Sequence, residues 1–323
     1  MDALNANTHK RSLQSRLRWI FVGPFGLRSG WRFLLFLLLA AGLVVGLVFA
    51  AKSFDWRLAP KFRALIEQAS AFIGVFAATW ILARIERKPV SYFGLVSLNR
   101  SRNLFAGVAA GFLSLSLLMI LLIVAGGFRL GPLSLRGSAA LAWGLFWLLV
   151  FTFVGFTEEL MSRGYPLFAL SQGIGFWPAA ILMSALFGAG HLGNKGEDYI
   201  GIAAAMLAGV VLAFSLRWTG SLWWAIGYHL SWDWAETFFY GVSDSGQPSP
   251  QHFLSGTSAG PSWLSGGSVG PEGSILAIPI LLLLAAVVRF TSPRAFTSGL
   301  ERLKVSNRPP EAPSQDELNG VRL

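Results

Sequence analysis

Three short stretches carry ionisable side chains inside otherwise apolar runs: Thr157-Glu-Glu-Leu-Met-Ser-Arg163, Phe187-Gly-Ala-Gly-His191 and His229-Leu-Ser-Trp-Asp233. An ionisable group within a lipid-spanning run is costly unless it faces a partner or a cavity, so Glu158, Glu159, Arg163, His191, His229 and Asp233 are functional candidates. Helical spacing sorts them. Glu159 and Arg163 are four apart with the acid first, the favourable order for an ion pair on one face. Glu158 points roughly 100° away round the helix and lacks that partner. His229 and Asp233 are four apart and share a face.

The chemistry such a group permits is activation of water. A carboxylate in a low-dielectric cavity can act as general base while a nearby imidazole shares or relays the proton, which fits Glu158 with His191. A second His with an acid across the cavity, His229 with Asp233, fits stabilisation of the oxyanion of a tetrahedral intermediate. The bland reading is that buried polar groups hold helices together. It is preferred for Glu159 and Arg163, and function is preferred for Glu158, His191 and His229. Glu67 reads as a boundary residue, His9 and His252 are assigned nothing, and Trp223, Trp224, Trp232 and Trp234 read as interface belt and packing.

These residues need membrane helices to position them. Of 323 residues 54% are hydrophobic and 13% charged, and the mean hydropathy is +0.56, the balance of a polytopic membrane protein. With no cysteine, disulfides, thiolate nucleophiles and Cys-ligated zinc are impossible. The net charge of +10 is spread between the apolar runs rather than gathered on one face, so it reads as a topology signal and nucleic acid is not an expected partner. Eight candidate spans fall at 33–51, 64–83, 104–128, 137 into the 160s, 176–191, 199–216, 221–240 and 274–288, each judged against the roughly 20 apolar residues that cross the hydrocarbon.

With the first residues inside, 19 of the 26 Lys and Arg lie on the inner side, so both termini are expected in the cytoplasm, in a plasma (inner) membrane. The expected fold class is all-α, a polytopic membrane protein of about eight transmembrane helices around a polar catalytic cavity. It divides into a basic tail (1–30), helices 1–3 (31–135), a catalytic core of helices 4–7 (136–242), a Gly/Ser/Pro loop without period that faces outward (243–273), helix 8 (274–292) and a disordered cytoplasmic tail (293–323). Depth supports the core. At about 1.5 Å per residue, Glu158 lies roughly 21 Å before the turn at 172–175 and His191 roughly 24 Å after it, level in an antiparallel hairpin unless Pro166 breaks the helix. His229 reaches similar depth, and the shared cavity is expected to open toward the cytoplasm.

Together the motifs resemble the type II CAAX prenyl protease and bacteriocin-processing family of intramembrane proteases, the Abi family. Its pattern is Glu-Glu-x-x-x-Arg, then Phe-x-x-x-His, then His-x-x-x-Asn or Asp, each on a membrane helix. Here it reads Glu158-Glu159-Leu-Met-Ser-Arg163, Phe187-Gly-Ala-Gly-His191 and His229-Leu-Ser-Trp-Asp233, over about residues 140 to 240. The resemblance implies that Glu158 and His191 activate water and that His229 and Asp233 bind the oxyanion, with Glu159, Arg163 and Phe187 in support. Many members carry Asn where this chain has Asp233, and an ionised Asp donates no hydrogen bond. Members are often labelled metalloproteases. Glu158, His191 and His229 would be the ligands of a zinc ion, although a metal-free glutamate mechanism is preferred.

The expected function is therefore that of a membrane-embedded endopeptidase, hydrolysing a peptide bond of a peptide or membrane-protein substrate near the cytoplasmic side. The rivals are a catalytically silent binding or immunity protein and, behind it, an ion-coupled transporter.

Overall fold

The computed structural model describes residues 20–23, 26–54, 60–97 and 99–291. The expected tails fall largely outside the described residues, over 1–19 and 292–323. Within 20–27, Val22–Gly23 and Gly26–Leu27 pair as a two-residue antiparallel ladder.

Helices α1 (Ser29–Phe54), α2 (Pro60–Ile85) and α3 (Arg100–Val124) form the first three spans. Helix α1 has 26 residues, about 39 Å at the α-helical rise, enough to cross roughly 30 Å of hydrocarbon with some tilt. Next come α4 (Gly137–Arg163), α5 (Tyr165–Ile174), α6 (Phe176–Gly190), α7 (Tyr199–Thr219), α8 (Leu222–Trp234) and α9 (Ala277–Thr291). Large apolar side chains such as Leu38, Phe49, Leu113 and Val124 stand exposed on the outer faces. A lipid-facing surface requires that, because no water competes for it there.

The described residues hold six helical runs long and apolar enough to cross a membrane, with α4 and α5 counted as one run. The first six expected spans correspond to them. The seventh and eighth do not reach that length: α8 has 13 residues before passing into a π-helical stretch, Ala235–Tyr240, and α9 has 15. Two other boundaries differ from expectation. Helix α4 ends at Gly164, where ψ is −131°, and not at Pro166. Pro166 occupies the first turn of α5, where its missing N–H costs nothing. Helix α6 stops one residue before His191, which begins a single 3-10 turn, His191–Gly193.

Helix α8 is the centre of the molecule. It packs along α3 and also against α4 and α7. The approach to α3 runs through Gly107 and Gly111 of α3 and Gly227 of α8, where any Cβ would overlap backbone of the facing helix. Small residues four apart let two helices come that close in lipid. Close approach puts Trp224, Tyr228 and Trp232 in the core, their rings stacked at 5.7 and 5.8 Å, so two of the four tryptophans assigned to belt or packing are packing residues.

The stretch expected to be an irregular loop, 243–273, carries secondary structure. Leu254–Ser258 pairs antiparallel with Phe128–Leu133, the connection between α3 and α4, and Ser262–Ser265 forms one helical turn. The alternation that marks a strand is absent from Leu-Ser-Gly-Thr-Ser because the ladder is held by backbone hydrogen bonds with little apolar face to bury.

Candidate active site

Helix α4 delivers Glu158, Glu159 and Arg163 to the interior. Glu159 and Arg163 are fully buried and joined in an ion pair one helical turn apart. Arg163 is fixed further by its Nε, which donates to the Gly209 carbonyl of α7 at 3.4 Å, and by the Phe187 ring, whose centroid lies 4.9 Å from the guanidinium. Phe187 is thus a supporting residue that packs on the buried cation, an arrangement strengthened by desolvation.

Glu158 projects differently. Its side chain is 38% exposed against 0% for Glu159, and the exposed part opens into a cavity of about 650 Å³ between the helices. His191, Tyr228, His229 and Asp233 line the same cavity. Helices α4 and α5 are not one straight rod, yet Glu158 and His191 still share the cavity, as the depth argument requires.

Pairing within the cavity differs from the sequence expectation. His229, not His191, stands within ion-pair distance of Glu158, Nε2 to Oε2 at 3.4 Å. His191 caps α6, its Nδ1 lies 2.8 Å from the Phe187 carbonyl, and its ring centroid is 4.8 Å from that of Phe187. That contact commits Nδ1 as a donor and leaves Nε2 for the cavity. His229 is held by Glu159, with Nδ1 2.8 Å from Oε1. Its Nε2 is 3.6 Å from Asp233 Oδ2, beyond ordinary hydrogen-bond length. The acid that orients His229 is therefore Glu159, across α4 and α8, rather than its own neighbour one turn on.

The sequence reading missed this contact because it joins residues 70 apart, and no helical spacing rule links two helices. It also passed over Glu236, although an acid in the apolar run 221–240 falls under the rule that singled out His229 and Asp233. Asn194, Glu197, Asp244 and Glu272, all from connections, complete the polar wall. Burial raises the carboxyls of Glu197 and Glu272 above the ordinary carboxylate range while His191 pulls both back. Burial, with the charges of Asp233 and Glu272, raises Asp244 further. Glu67 meets Lys52 at 3.2 Å and also reaches the cavity. His252 Nδ1 lies 2.6 Å from the Ser249 carbonyl.

The ligand set expected for zinc is not gathered. Among the described residues, Glu158, His191 and His229 do not form a group with ligand atoms within 4.8 Å of one another. The reason is local: His229 is drawn to Glu159, while His191 is tied back to its own helix. A preformed three-ligand metal site does not fit these positions.

Fold and cavity together define an all-helical integral membrane protein with a Glu, His and Asp constellation enclosed between its helices. Residues 140–235, from the start of α4 to the residue after α8, match the family model of the Rce1-like type II CAAX prenyl endopeptidases. That stretch contains all three motifs, and the family it is similar to is the one the motifs resemble. No curated protein and no solved structure matches the chain.

Proposed function

We propose that the protein is an intramembrane endopeptidase in which Glu158 takes a proton from water, and that water attacks the carbonyl carbon of a peptide bond. The carbon–nitrogen bond then breaks, and Glu158 returns the proton to the leaving amine. His191 Nε2 shares the proton or holds the water. His229 Nε2 and Asp233 face the oxygen on which negative charge develops. The catalytic core is residues 136–242. The substrate is a peptide or a membrane-protein terminus that enters from the bilayer or from the side of the 243–273 segment, because that segment and the 191–197 connection line the cavity, whereas the sequence predicts an opening toward the cytoplasm.

One observation carries this reading. Of two adjacent glutamates, the buried one is consumed by Arg163 and His229, whereas Glu158 is left open to the cavity with an imidazole 3.4 Å away. A scaffold that merely paired charges would have no reason to leave one carboxylate open to a cavity of about 650 Å³.

The test compares peptide termini in membranes carrying wild type or Glu158→Gln. Termini present with wild type and absent with the folded variant identify the substrate, and detergent-purified wild type should cut that peptide at least 100-fold faster than Glu158→Gln or His191→Ala. Equal cleavage by Glu158→Gln rejects the mechanism. Elemental analysis of the active protein decides on zinc: activity lost on chelation together with stoichiometric zinc would replace the metal-free account.

A further inference from the structure

Away from the Glu158 and His229 pair, on the side of the cavity formed by the 243–273 segment, three carboxylates converge. Glu236, Asp244 and Glu272 each offer an oxygen within 4.8 Å of the others. They come from separate places: the π-helical end of α8, the start of the segment and its far end. Glu236 is 0% exposed, and the Glu272 backbone N–H is directed at its carboxylate without reaching full hydrogen-bond geometry at either oxygen. Gly270 lies directly over it, so that a Cβ there would come within 2.7 Å of Glu236 Oε1.

The other two are only half engaged. Glu272 Oε1 accepts from the Ser245 N–H at 2.8 Å and from the Ser245 hydroxyl at 3.0 Å, and Asp244 Oδ2 accepts from Thr237 Oγ1 at 3.3 Å. Each of these bonds engages a single carboxylate oxygen. No Lys or Arg forms an ion pair with any of the three among the described residues. A buried carboxylate without a full hydrogen bond or a countercharge is a costly group, and a π-helical turn is a frequent mark of a functional position.

We propose that Glu236, Asp244 and Glu272 bind one hard divalent cation, Ca²⁺ or Mg²⁺, which fastens both ends of the 243–273 segment to α8. The donor set is all oxygen, the preference of these ions, and contains neither the imidazole nor the thiolate that favours zinc. The ion satisfies the two orphaned oxygens of Glu236 and neutralises the repulsion among the three acids. Because α8 also carries His229 and Asp233, and Asp244 and Glu272 line the cavity itself, the same ion braces one wall of the candidate active site.

The experiment uses the detergent-purified full chain, stripped with chelator and dialysed, then titrated calorimetrically with CaCl₂, MgCl₂ and ZnCl₂ in turn, with thermal unfolding followed in parallel. The expected result is saturable binding of one Ca²⁺ or Mg²⁺ per chain and a Tm that rises with its concentration. Glu236→Gln and Asp244→Asn should each weaken binding at least tenfold while raising the Tm of the cation-free protein, because each removes an uncompensated charge. If one of these fails to fold, Glu272→Gln supplies the same comparison. Glu158→Gln should bind like wild type. A wild type whose Tm ignores both ions, a preference for Zn²⁺, equal affinity in the acid variants, or loss of binding in Glu158→Gln would each overturn the site.

Discussion

At the scale of single residues, the division of labour between Glu158 and Glu159 follows from one 100° step round a helix. The step that sends Glu159 toward Arg163 turns Glu158 to the cavity. Spacing alone made this legible, as it did the Glu159–Arg163 pair. The bond from Glu159 to His229 was not legible, and it changes what a mutation should do. Arg163→Ala leaves a buried carboxylate without its guanidinium, a loss of about 3–5 kcal/mol for a broken buried pair. Folded yield and Tm should fall, with activity falling in proportion to the folded fraction. Glu159→Gln keeps an acceptor for His229 but strands Arg163, so it too should lower the Tm. An Arg163 variant with wild-type Tm and no cleavage would make that pair part of the reaction rather than of the frame. Asp233 is the complementary case. His229 already has an orienting acid 2.8 Å away, so Asp233, 3.6 Å from the ring, is free to donate to the oxyanion when protonated. Asp233→Asn supplies an obligate donor of nearly the same shape. Its peptidase rate should match or exceed wild type, with the advantage growing above neutral pH. A loss of orders of magnitude at every pH would show instead that the carboxylate serves His229.

At the scale of elements, apolar run length revealed the first six spans and gave the helical period that sorts the site. It could not reveal that the seventh run is tightened by contacts on every side and passes into a π-helix, because that depends on what surrounds it. Helix α8 has nearly its whole 222–233 surface buried, so its local conformation answers to tertiary packing more than to propensity. The glycines make the point testable. Gly111 of α3 has the backbone of Tyr228 and Trp232 where a side chain would stand, so Gly111→Leu must push α3 and α8 apart. Overpacking of this kind costs about 1–3 kcal/mol. The Tm should fall and cleavage should fall with it, as His229 and Asp233 shift relative to α4. Gly42 of α1 has nothing within 4 Å of an added Cβ, so Gly42→Ala should leave both unchanged. Equal effects of the two would mean that α3 and α8 are not in close contact. The 243–273 segment was the least legible element. Its strand is held by backbone pairing and its acids converge only in the folded chain, and neither leaves a period in the sequence.

At the scale of the whole molecule, orientation decides which compartment supplies the substrate and which supplies the cation. The sequence's charge asymmetry, 19 of 26 Lys and Arg in the segments expected inside, leads us to propose that the side of the α2–α3 connection is the cytoplasmic one. The strand Leu254–Ser258 then lies on the opposite side, with Asp244 and Glu272, where a divalent ion could enter without crossing the bilayer. A chain with no cysteine allows this to be read directly, since any introduced thiol is the sole target of a maleimide. Asn99, at the exposed entry to α3, and Thr257, exposed on the strand, are the two positions to compare. In intact cells a membrane-impermeant maleimide should label Thr257→Cys and leave Asn99→Cys unmodified until the membrane is opened. The reverse pattern would invert the protein and turn the 243–273 segment toward the cytoplasm. It would also put the carboxylate cluster in the compartment where free Ca²⁺ is scarce and Mg²⁺ is plentiful, making Mg²⁺ its occupant. The labelling result therefore fixes which of the two ions the calorimetry should find at working concentration, because geometry sets the oxygen donors while topology sets the supply.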